Sequence, residues 1–167
     1  MKKNINEAEW KVRVDLAAMF RLTRMMGWDD TVWNHITART PGTDHTFFMH
    51  QFGLLYEEVK ASNLIKVDEE ERFRIAENLG ENKVLIMKNH GLLTVGETAG
   101  ESFMNMYYAV RMCEVAVQAQ GSGLKLETAS KSLWEKSQKQ YDAFSPGPNE
   151  WPALLRRCDV VDPSYKE

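Results

Sequence analysis

The stretch "VLIMKNHGLLTVGE", residues 84–97, decides how the chain is read. An apolar run that reads as a buried strand, Val84 to Met87, breaks at Asn89-His90-Gly91 and resumes as Leu92-Leu93-Thr94-Val95, which predicts a pair of strands. A polar pair followed by glycine inside an apolar sequence places a polar side chain at a defined depth. The simpler alternative is a hairpin turn that happens to contain histidine. A lone histidine between strands is more often a hydrogen-bonded core or turn residue than a ligand.

Downstream, Thr98 with Glu101 three positions on forms a capping box. Phe103, Met106, Tyr107, Val110, Cys113 and Val117 then give the clearest helical repeat in the chain, closed by Gly121-Ser122-Gly123. A further amphipathic run carries Leu133, Trp134, Tyr141 and Phe144, before Pro146-Gly147-Pro148 and a short segment, "WPALLRRCD", from Trp151. Upstream, Glu69-Glu70-Glu71 suits a helix start and Gly80 its end. "LIKVD", residues 64–68, reads as a strand with Leu64, Lys66 and Asp68 on one face and Ile65 and Val67 on the other. "LLYEEVKASN" before it is ambiguous. "HITART" and "HTFFMH" are predicted to pair as a hairpin around Pro41-Gly42, with a further turn near Gly53. The first helix starts at a capping box of Asn6 and Glu9, repeats Val12, Leu16, Met19 and Phe20, and stops at Gly27.

Composition bounds the function. The 167 residues suit one domain, residues 1–145, with a C-terminal tail at 146–167. A net charge of −3, with lysine and arginine scattered, predicts no nucleic-acid partner. The apolar runs fall short of the ~18 residues a membrane span needs, and no secretory signal opens the chain, so the expectation is a cytoplasmic protein. Cys113 and Cys158 are far apart and lack metal-type spacing. Mixed helices and hairpin-like strands predict a layered sheet covered by helices, and a small-molecule or protein partner.

Three phrases in order, "WDDTVWNHITARTPG", "HTFFMHQFGLLYEEVKASNLIKVD" and "NKVLIMKNHGLLTVGE", followed by a long capped helix, resemble the class II aldolase/adducin family and are most similar to its adducin-like bacterial branch. The resemblance implies an α/β fold: a layered α/β/α sandwich with a mainly antiparallel central sheet, here incomplete. It also implies homo-oligomers, commonly tetramers. In the family's enzymes zinc or another divalent metal on three histidines serves an aldehyde-lyase acting on a sugar phosphate or related hydroxy-carbonyl compound. His90 matches the third metal ligand. Asn34 and Gly53 match the phosphate loops, with Asn34 equally readable as a turn or capping residue, and Phe52 stands where threonine is often found. Tyr107, Tyr108 and Tyr141 are candidates for a proton donor or for core positions.

The resemblance also exposes a subtraction. The family's other two ligands, a His-x-His strand, and its acid/base residue lie between "SNLIKVD" and "EEERF", where this chain passes from Asp68 directly to Glu69. A strand running into a helix with no turn residue is uncommon in its own right. The remaining histidines, His35, His45 and His50, form no replacement: on an extended strand the last two point to opposite faces. Two readings follow: a metal-dependent aldehyde-lyase with an incomplete metal site, or a non-catalytic adducin-like oligomerising scaffold.

Overall fold

A computed structural model gives the fold; it describes residues 5–43, 45–68, 77–88, 91–144 and 146–167. The chain forms two compact units, Met1–Glu77 with Pro152–Glu167 and Asn78–Trp151.

In the first unit, helix α1 spans Glu7–Met25. The Asn6 side chain accepts the Glu9 N–H at 2.8 Å, and Gly27 ends the helix at φ 69°, a left-handed conformation that favours glycine. The repeat predicts an apolar stripe; instead every residue from Leu16 to Leu22 is buried. Strands β1 (Ala38–Arg39), β2 (Thr46–Met49) and β3 (Ile65–Asp68) form an antiparallel sheet in that order. The pairs Arg39 with Phe47 and Phe47 with Val67 fix its register. Phe48 is buried, and the Arg13 guanidinium lies 4.3 Å from its ring centroid.

The ambiguous segment after Gly53 is a 3-10 turn, Tyr56–Glu58, followed by irregular chain to β3. Two buried arginines on α1 supply the donors its carbonyls lack. Arg13 Nη1 donates to Leu64 O at 2.8 Å, and Arg21 Nη1 donates to Tyr56 O at 2.7 Å. The segment's own N–H groups reach the C-terminal residues: Ala61 N–H donates to Tyr165 O and Ser62 N–H to Glu167 O. Buried backbone groups need partners, and here they come from residues remote in sequence.

"WPALLRRCD" is helical, within a helix over Glu150–Val161, and a 3-10 turn follows at Pro163–Lys166. Cys158 and Tyr165 have no exposed surface, and Tyr165 Oη donates to Asp159 Oδ1 at 2.7 Å. Burial, reinforced by Asp159, pushes the Cys158 thiol up to about 11, whereas Cys113 is exposed. Because the thiolate is the reactive form, a disulfide reagent at pH 8 should modify one cysteine per native chain and the second only after unfolding. Rapid modification of both in the native protein would contradict this packing.

The second unit opens with a hairpin of β4 (Val84–Met87) and β5 (Gly91–Thr94), closed by the pair Met87 and Gly91. Helix α2 (Ala99–Gly121) follows, and Thr98 Oγ1 accepts the Glu101 N–H at 3.1 Å as its spacing predicts. Thr94 Oγ1 donates to Ser102 O and buried Asn105 Nδ2 to Val95 O, fastening the helix to β5. Helix α3 spans Lys131–Asp142. The Pro-Gly-Pro turn sits on α2. Gly147 has φ 108°, and a Cβ there would lie 2.7 Å from backbone atoms of Gly100 and Glu101.

The α/β character and the antiparallel pairing agree with expectation. Among the described residues, however, the strands form two separate sheets, three-stranded and two-stranded, and no described strand pairs with the second edge of β3 or β4. The α2 repeat also marks more buried surface than is buried. Phe103 and Met104 are in the core, but Cys113 is exposed and Val117 is 70% exposed. On α3, Leu133, Trp134 and Tyr141 are exposed, as is Phe144 beyond it. An apolar repeat identifies a face that needs covering; it does not supply the cover. Met104 fills core space, whereas Met112 is exposed. The proposed helix opening at Glu69 lies outside the described residues; residues 77–79 are helical and Gly80 follows at φ 55°.

Candidate functional site

Two loops of the first unit carry the sequence-predicted phosphate residues. Residues 28–35 leave α1 through a tight turn in which the Trp33 N–H donates to Asp30 O at 2.8 Å. Two non-glycine residues here have left-handed backbones, Thr31 at φ 53° and Asn34 at φ 65°. Asparagine tolerates that region, whereas a β-branched threonine there is strained. Backbone strain of this kind concentrates at functional sites. In the second loop, residues 50–54, Gly53 has φ 98°, a conformation that requires glycine.

An aromatic contact joins the loops. Trp33 and Phe52, the neighbours of Asn34 and Gly53, meet edge to face with ring centroids 5.5 Å apart. They remain 61% and 69% exposed, and the Asn34 side chain is exposed beside them. Arg24 pairs with Asp29 at 3.3 Å and reaches Glu57 at 3.5 Å, tying the first loop to the 3-10 turn. The Tyr56 hydroxyl is pushed up to about 12 by burial, then by Asp29 and Asp30.

His90 and Asn89 lie outside the described residues; Met87 and Gly91 bracket their position in the β4–β5 hairpin. Of the other three histidines, His35 acts electrostatically on His50. His35 and His45 are exposed, whereas His50 is buried. Among the described residues, no three histidine, cysteine or acidic side chains are grouped to hold a metal ion. The three tyrosines form a ladder in the second unit, Tyr107 to Tyr108 at 5.7 Å and Tyr108 to Tyr141 at 6.2 Å. Buried His50 carries no sequence signal beyond its place at the end of an alternating strand.

The sequence profile of the class II aldolase and adducin N-terminal domain matches residues 14–74 and 68–117. The chain belongs to the class II aldolase and adducin family. This class II aldolase/adducin chain is 28% identical to a Caulobacter vibrioides protein named "Putative aldolase class 2 protein", covering 100% of the chain and 96% of the relative. That alignment runs over 247 positions against a chain of 167 residues, so at least 80 of its positions face no residue here. A solved aldolase II superfamily protein from Pseudomonas syringae superposes with TM-score 0.91 at 24% identity, covering 99% of each chain. L-fuculose 1-phosphate aldolase from Glaciozyma antarctica superposes with TM-score 0.81 at 18% identity, covering 96% of this chain and 93% of that one. At these identities the two structures establish the fold. Among the described residues no helix is long and apolar enough to cross a membrane.

Proposed function

We propose that this chain carries the phosphate-binding side of a class II aldolase site without the full metal centre that turnover requires. The family profile matches in two stretches that meet at residues 68–74, and this split carries the proposal. It supports placing the absent alignment positions directly after β3, where the resemblance locates two histidine ligands and the acid/base residue. His90 is then one imidazole where catalytic zinc sites use three protein ligands. The donor set does not fit a zinc centre, and no bond cleavage is assigned to this chain alone.

What remains can bind. The Asn34 amide and the backbone at Gly53 offer donors to the phosphate of a sugar phosphate or related small hydroxy-carbonyl compound, and Phe52 in place of a hydroxyl weakens that grip. Dihydroxyacetone phosphate should bind weakly by calorimetry, in the millimolar range of about −4 kcal/mol. Both Asn34→Ala and Gly53→Val should abolish the signal, and aldol cleavage should be absent. Heat of binding unchanged in both variants would refute the site.

A second reading, an oligomerising scaffold, is favoured by the bare apolar surfaces. Ile86 on β4 is 72% exposed, and no residue of β4 or β5 is buried. Exposed strands and apolar patches associate. Analytical ultracentrifugation should find a homo-oligomer, a tetramer by family; a monodisperse monomer at micromolar concentration would contradict both the reading and the exposure that motivates it.

A further inference from the structure

The His50 side chain has an unmet requirement. It is 3% exposed, and neither ring nitrogen has a hydrogen-bond partner. A neutral imidazole carries one donor and one acceptor, and each such group left unpaired in the core costs stability. The ring is held instead by aromatic edges: Phe20 of α1 at 4.9 Å and Tyr56 of the 3-10 turn at 5.9 Å between centroids. It is the first residue of the loop that carries Phe52 and Gly53.

We propose that His50 is a pH-sensitive positioning residue: neutral, its ring fastens the 50–54 loop into the core, and acidification drives the ring out and releases that loop together with the Trp33–Phe52 contact. The proposal rests on the phosphate-site reading only for what the loops hold.

The groups facing the ring explain why protonation is resisted. From α1 comes Phe20, with the neighbouring Arg21 directed to the Tyr56 carbonyl. From the 3-10 turn comes Tyr56, whose hydroxyl responds to Asp29 and Asp30. From the first loop comes the electrostatic influence of His35, which disfavours a charge on His50. Among the described residues no carboxylate bears on His50. Desolvation first, and His35 second, hold its pKa below the ordinary 6.5. The native ring therefore takes up a proton less readily than the ring in the unfolded chain. Its contribution to stability is complete above pH 6.5 and is lost as pH falls below that value. Local release is the cheaper escape, because Gln51, Phe52 and Gly53 are exposed and one described backbone bond, Leu54 N–H to Gln51 O at 3.3 Å, braces the loop.

Amide hydrogen exchange between pH 7.5 and 5, corrected for intrinsic rates and run without ligand, tests this. Peptides covering 28–35 and 50–54 should lose protection below pH 6.5 while those from Leu16 to Leu22 keep it. His50→Phe, which fills the space without titrating, should flatten the response; the same acid-induced loss in His50→Phe would overturn the proposal. Should that variant not fold, the His50 Cε1 resonance of the unaltered protein decides: a midpoint below 6.5 that coincides with loop exchange supports it, and a midpoint at or above 6.5 overturns it. Dihydroxyacetone phosphate binding at pH 7.5, where His50 is neutral, tests the phosphate site separately.

Discussion

Arg21→Met is expected to lower the unfolding free energy by about 3 kcal/mol. The Arg21 guanidinium is buried and spans three partners: the Tyr56 carbonyl at 2.7 Å, Asp162 at 3.1 Å and the Ser164 hydroxyl at 3.3 Å. Methionine keeps the apolar stem, so packing changes little and the loss is polar. The largest part is the Tyr56 carbonyl, stranded in the core. The Asp162 side chain is partly exposed and still accepts the Ser164 N–H, so its share is small. Because Arg21 and Asp162 are 141 residues apart, the C-terminal 3-10 turn should loosen with the rest of the first unit. Urea unfolding measures the change, and a loss below about 1 kcal/mol would show that the guanidinium is not the clamp its geometry describes.

The second large effect concerns metal. On the proposed function, inserting between Asp68 and Glu69 the positions of the Caulobacter relative that face no residue here should convert a chain that retains little zinc into one that retains about one ion; the proposal requires those positions to supply the two further imidazoles. His90→Ala in the grafted chain should return the zinc content to background. The same graft should also protect the β4–β5 hairpin from exchange, since β3 and β4 would regain neighbours. Zinc taken up irrespective of His90, or no uptake by a folded graft, would refute the assignment of that histidine.

Local signals were legible where the chemistry is local. Asn6 and Thr98 cap helices as their spacing predicts, and the apolar runs on either side of 88–90 pair as a hairpin. The ambiguous 54–63 segment was not legible, because it and the start of the following strand are held by Arg13, Arg21 and the carbonyls of Tyr165 and Glu167, all remote in sequence. The α2 and α3 repeats were read correctly as apolar faces, yet a repeat says nothing of whether the covering element is present. The candidate site divides in the same way. Asn34 and Gly53 are candidates by motif alone; both have positive φ values, and the Trp33–Phe52 contact is what brings their loops together. The sequence shows that His50 does not pair with His45 as a ligand, but not that it is buried without a partner, because those are properties of the folded environment.

The central claim, that one imidazole of a three-ligand site remains in this chain, is tested most directly by zinc content on polypeptide of verified intact mass. At 19.3 kDa the purified protein, dialysed against metal-free buffer, should retain far less than one zinc per chain. One tightly held zinc per chain at that mass would contradict the account.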